Sequence, residues 1–120
     1  MPDIKELPEE TPLERIVERY LVRRVELVEG TVRKLKWVGR RGAPDRLVLL
    51  PQCAVRHDHP NVWFIELKRP KGGVLSAAQS DELAMLREYA GARVLVNQDE
   101  IDAWLRGLLA PAYAVRLGLR

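Results

Sequence analysis

FIELKRP, residues 64–70, closes an apolar run with a carboxylate and an ammonium two positions apart, Glu66 and Lys68. In an extended chain side chains alternate between faces, so Val62, Phe64, Glu66 and Lys68 share one face and Trp63, Ile65 and Leu67 the other. Large apolar residues on both faces predict an interior strand over 62–68, broken by RPKGG at 69–73. A solvated ion pair is the plain reading of Glu66 and Lys68. The surrounding residues decide whether it is enough.

Downstream of the strand, Leu75 precedes an S-x-x-Q capping box, Ser76 to Gln79, which predicts a helix over 76–90. Leu83, Leu86, Tyr89 and Ala90 supply its apolar face. Gly91 ends it, and ARVLV (92–96) reads as a buried strand. A strand–helix–strand crossover makes the strands at 62–68 and 92–96 parallel. Asn97 or Asp99 starts a last helix that buries Ile101, Trp104, Leu105 and Leu108, and Pro111 ends it. The tail to Arg120 carries no assigned element.

Upstream, DRLVLLP (45–51) is a short strand, and QCAVRHDHPN (52–61) a long hairpin connection to strand 62–68. TVRKLKWV (31–38) alternates as a strand, and GRRGAP (39–44) is a basic turn. The first helix opens at Pro12 with Thr11 as N-cap. Its apolar stripe is Leu13, Ile16, Val17, Tyr20, Leu21, Val25 and Val28, and Gly30 is the stop. Glu14 and Glu18 lie one turn apart beside that stripe, while Arg15, Arg19 and Glu26 face away. The pattern predicts an α/β fold, a small mixed sheet flanked by helices, as one domain over 1–120 with its core at about 12–110.

The chain has 120 residues, a formal charge of +3 and a single cysteine, Cys53, which excludes an internal disulfide and a zinc-finger spacing. No apolar run approaches the roughly 18 residues of a membrane span. The acidic start, MPDIKELPEE, lacks a secretory layout. A soluble, intracellular, cytoplasmic protein of bacterial or phage type is expected. Residues 1–10 are net −3, so the rest carries +6, with Arg33, Lys34, Lys36, Arg40, Arg41 and Arg46 in one cluster and Lys68, Arg69 and Lys71 in another. Basic clusters of this kind suit a polyanion.

Asp45 begins one strand and Glu66 lies near the end of the next. If the strands are antiparallel neighbours, the two carboxylates converge at one end of the sheet. Mutual repulsion and burial would be costly there without a cation between them. A hard divalent ion such as Mg²⁺ accepts two carboxylates and a main-chain carbonyl, and keeps waters besides. Lys68, on the same face, could orient water or stabilise charge on a phosphate. Pro44-Asp45, twenty spacer residues, then Glu66-x-Lys68 is a set of groups for phosphodiester hydrolysis. Its basic flanks, Lys36, Arg40, Arg41, Arg46, Arg69 and Lys71, would grip DNA phosphates.

RGAPDRLVLL, FIELKRPKG, LSAAQ and GARVLV, in that order and spacing, resemble the virus-type replication-repair nuclease family (VRR-NUC) of the PD-(D/E)xK superfamily, over roughly residues 14–105. The resemblance implies a restriction-endonuclease-like core and a Mg²⁺- or Mn²⁺-dependent endonuclease. Stand-alone members of this size are similar to homodimeric nucleases of branched DNA such as Holliday junctions. The family's acidic residues and lysine match Asp45, Glu66 and Lys68, with the Leu67 carbonyl as a further metal ligand. Its glutamine matches Gln79, and its first-helix glutamate matches Glu18, with Glu14 as competitor. The segment QCAVRHDHPN departs from the shorter turn of many members. A non-catalytic DNA-binding module and a nuclease of duplex or flap DNA are the rival readings.

Other residues have plainer readings. His57 and His59 lack further ligands at matching spacing, and Cys53 has no companion motif for nucleophilic catalysis. Tyr20 and Tyr89 read as core, and Trp37, beside the basic turn, as the better candidate for base stacking.

Overall fold

The computed structural model describes residues 12–68 and 73–119. Thr11, Arg69 and Lys71, and with them an N-cap and two phosphate contacts, lie outside the described residues. The elements are α1 (Pro12–Leu27), β1 (Thr31–Lys34), β2 (Arg46–Leu49), β3 (Val62–Leu67), α2 (Ala77–Leu86), β4 (Gly91–Leu95), α3 (Gln98–Leu108) and α4 (Pro111–Ala114). Short 3-10 turns cover Gln52–Ala54 and Val115–Leu117. The strands form one sheet in the order β1-β2-β3-β4, antiparallel except for the β3–β4 pair. This is the expected small mixed sheet.

Two apolar clusters hold the sheet, one on each face. Val48, Ile65 and Leu95 pack with Val17, Leu21, Val25 and Val28 of α1 and with Ile101, Trp104, Leu105 and Leu108 of α3. On the opposite face Phe64 and Val94 pack with Leu83 and Leu86 of α2 and with Trp37. The even–odd alternation of β3 therefore separates two layers: Ile65 belongs to the first, Phe64 and Glu66 to the second.

The boundaries differ from expectation where side chains are drawn away. β1 stops at Lys34 because Trp37 donates to Glu82 of α2 (2.9 Å), pulling the chain out of the sheet. α2 ends at Leu86, so the chain turns before Tyr89, which is 79% exposed and not part of the core. The apolar stripe of α1 is used from Val17 onward: Leu13 and Ile16 stay exposed beyond the edge of the cluster. At its end the left-handed residue is Glu29 (φ 67°), and Gly30 is required for another reason. A Cβ on Gly30 would stand 2.6 Å from the Leu49 carbonyl oxygen.

The tail is ordered structure. Pro111 starts α4 instead of closing α3, and Ala114, Leu117 and Leu119 are buried in the α1/α3 cluster. An isolated bridge, Val55 to Leu109, ties the β2–β3 connection to the end of α3. Among the described residues no helix is long and apolar enough to cross a membrane.

Candidate metal centre

The β2–β3 register pairs Arg46 with Ile65, so Asp45 and Glu66 fall opposite each other just beyond the ladder. They interlock through the main chain. The Asp45 N–H donates to Glu66 Oε1 (3.1 Å), and the Leu67 N–H donates to Asp45 Oδ1 (3.1 Å). In an extended strand the N–H and C=O of one residue leave the same edge, so the Leu67 carbonyl is directed to the Asp45 side of β3.

Lys68 follows from the same alternation. Its Nζ lies 3.4 Å from Glu66 Oε2 and donates to Gln79 Oε1 (3.1 Å). Gln79 Nε2 in turn donates to Glu66 Oε2 (3.0 Å). Gln79 is able to reach because the capping box places it: Ser76 Oγ accepts from the Gln79 N–H (3.1 Å), and the Ser76 N–H donates to Gln79 Oε1 (2.9 Å). One amide thus serves both as helix cap and as clamp on the Glu66–Lys68 pair.

Glu18 approaches from the other layer. Arg46 is only 5% exposed and points to the α1 face, as Val48 does. Its Nη2 lies 3.4 Å from Glu18 Oε2. Its Nη1 lies 3.8 Å from Asp45 Oδ1 and donates to the Asp45 carbonyl (3.0 Å). Glu18 and Asp45 are thereby joined through one guanidinium.

The electrostatics of the centre are frustrated. Burial, and then the neighbouring Glu66 charge, push the Asp45 carboxyl up to about 7, against the pull of Arg46, the Leu67 N–H and Lys68. Glu66 is raised too, by burial, with Lys68 opposing. Two half-desolvated carboxylates that resist ionising together are what a dication relieves. Asp45, Glu66 and the Leu67 carbonyl offer hard oxygens of the kind that suits Mg²⁺ or Mn²⁺. Among the described residues no group of three His, Cys, Asp or Glu side chains is placed to hold a metal. The fit therefore depends on the main-chain oxygen.

A solved structure described as a VRR_NUC domain aligns with this chain at 31% identity and a TM-score of 0.67, over 79% of this chain and 96% of that one. The chain belongs to the VRR-NUC family. Its sheet has that family's restriction-endonuclease-like fold, and the class of activity is that of a nuclease domain. No protein-family model and no curated protein matches the sequence.

In this VRR-NUC domain the basic residues read from sequence divide into different roles. Lys36 and Arg41 are exposed. Arg46 is buried and paired inside the centre, because β2 begins with it on the core face, so it does not offer its guanidinium to DNA at the surface. Arg40 is engaged with Glu82, which accepts from Arg40 Nε (2.9 Å) and from Trp37 Nε1 (2.9 Å). Glu82 is 3% exposed, and these bonds hold its carboxyl below the usual range, those from Arg40 contributing most. Neither the burial of Arg46 nor Glu82 was among the residues singled out from sequence. A signal for Glu82 existed, since it lies three residues after Gln79 on the face that carries Leu83 and Leu86. Trp37 packs beside Phe64, with ring centroids 6.4 Å apart, and so belongs to the α2 layer, not to a surface for base stacking.

Proposed function

We propose that this chain is a divalent-metal-dependent endodeoxyribonuclease that hydrolyses phosphodiester bonds in branched DNA, as a homodimer. The observation that carries the reading is the closed set Asp45–Glu66–Gln79–Lys68, in which two carboxylates raised by burial meet at one end of the β2–β3 hairpin. Asp45, Glu66 and the Leu67 carbonyl would hold Mg²⁺ or Mn²⁺, with Glu18 as a further ligand. When bound, the ion supplies a Lewis acid for the phosphate and neutralises charge that develops on it.

The chain's own groups do the rest. Lys68, held by Gln79 and Glu66, keeps its ammonium aimed at the space beside both carboxylates, where it donates to water or to a phosphate oxygen. Gln79 fixes the Glu66 rotamer and sets the reach of Lys68. Arg46 holds Glu18 against the Asp45 strand. Lys36 and Arg41, with Arg69 and Lys71 from the sequence, bind backbone phosphates. Each centre addresses one strand, so paired cuts across a junction need two copies.

The test is cleavage of labelled four-way junction, flap, single-stranded and linear duplex DNA with Mg²⁺, Mn²⁺ or EDTA, beside a binding assay and light scattering for mass. Wild type should cut junctions best, as a dimer, only with metal, and Lys68→Ala should bind without cutting. Tight binding with no cutting under any metal would leave a DNA-binding module in place of the enzyme.

A further inference from the structure

The turn between β1 and β2 projects an aliphatic side chain from a fixed base. Val38 is 94% exposed at its tip, flanked by the exposed bases Lys36 and Arg41. On either side of the tip the turn is fastened to α2. Trp37 and Arg40 both donate to the buried Glu82, one from each side of Val38-Gly39. Gly42 (φ 88°) presses its backbone on the Ala78 carbonyl, where a Cβ would collide. Ala78 precedes Gln79, so the base of the turn adjoins the residue that clamps Glu66 and Lys68.

We propose that residues 36–41 are a wedge that enters DNA at an opened base step, with Val38 as the inserting side chain and Glu82 as its positioning residue. The inference rests on the nuclease reading and names how the same site would choose its substrate. Single exposed aliphatic residues are ordinary on protein surfaces. This one differs in its setting: two side chains and a glycine are used to hold the turn that carries it, and cations flank it. Such a tip can part a base step while Lys36 and Arg41 hold the neighbouring phosphates. Insertion is least costly where stacking is already interrupted, as at a branch point, so the wedge favours branched over continuous duplex DNA. The Arg40–Glu82 pair at its root, with the carboxylate buried and the arginine largely exposed, keeps the turn from folding away when DNA presses on it.

The experiment uses four-way-junction DNA with 2-aminopurine at the branch point, titrated with the full chain in EDTA so that no cutting is required. Wild type should raise the fluorescence on binding, and raise it little on linear duplex. Val38→Ser should abolish the rise and narrow the junction-over-duplex preference in cleavage by about tenfold, a fraction of the cost of one unstacked step. It should still cut DNA whose branch is opened by mismatches. Glu82→Gln should give the same optical loss together with faster amide exchange over 36–42, and Val38→Ser should leave that exchange unchanged. A fluorescence rise that persists in Val38→Ser, or a substrate ranking indifferent to it, overturns the wedge while leaving the nuclease intact. Unstacking by wild type without cutting under any metal upholds the wedge and removes the nuclease.

Discussion

The β2–β3 hairpin carries charged clusters at both of its ends, and they behave differently. At the open end Asp45, Glu66, Lys68 and Gln79 come from two strands and a helix, are partly or largely buried, and bond to one another. At the connecting end His57, Asp58 and His59 follow one another along a loop in solvent. There the His57–Asp58 pair is 3.2 Å apart with both side chains nearly fully exposed. The residue types at the second end are those from which metal sites are often built. Convergence from separate elements, with partial burial, distinguishes the first.

The largest effect that could break this contrast is on turnover. Asp45→Asn and Lys68→Ala should each lower single-turnover cleavage by about 10²–10³-fold, the usual cost of removing one transition-state group. The double variant His57→Ala, His59→Ala should cut at the wild-type rate. Comparable losses at the two ends would erase the distinction.

A second effect is thermodynamic and has a definite sign. With Asp45 raised to about 7, the folded chain binds more protons than the unfolded one between the ordinary carboxylate range and pH 7. Stability of the metal-free protein should therefore fall as pH rises from 5 to 8, by several degrees in Tm, and Asp45→Asn should flatten the slope. Saturating Mn²⁺ at pH 8 should restore Tm, because the ion binds only the folded chain.

A smaller effect separates the two duties of Gln79. Ser76→Ala should cost about 1 kcal/mol of stability through the lost cap, measured by urea unfolding, with cleavage nearly unchanged. Gln79→Ala should cost a similar amount and also slow cleavage, since it frees Lys68 and Glu66. If both variants lose activity alike, the helix cap and not the amide is what the centre needs. Smallest of all, Asp58→Asn should shift stability by no more than about 0.5 kcal/mol.

Much of this was legible in the chain because period-two alternation is local. Glu66 and Lys68 on one face and the Ser76–Gln79 box follow from neighbours in sequence, Asp45 opposite them follows once the two strands are taken as an antiparallel hairpin, and the fold shows each geometry. What escaped needed two elements at once. Arg46 reads as one more base in a basic run until β2 is seen to start there with Arg46 and Val48 on the α1 face. Glu82 reads as a solvated helix acid until Trp37 and Arg40 arrive from a turn 42–45 positions earlier. Tyr89 fitted the helical stripe, but the helix ended at Leu86, and the stripe with it. The tail offered no long period, since α4 and the following 3-10 turn are too short to show one.

That tail sets an order of events in time. Ala114, Leu117 and Leu119 complete the cluster that α1 begins, and the Leu117 carbonyl accepts from Arg24, 93 positions earlier (2.8 Å). A chain emerging from the ribosome shows α1 before the other described elements and must hold that helix's apolar stripe in waiting until residues 114–119 have followed. The hairpin with the acidic centre and α2 are finished well before then. During synthesis the layer that carries the chemistry can be in place while the layer that stabilises it is still open, so this protein is most exposed to chaperones and proteases until Leu119 has emerged.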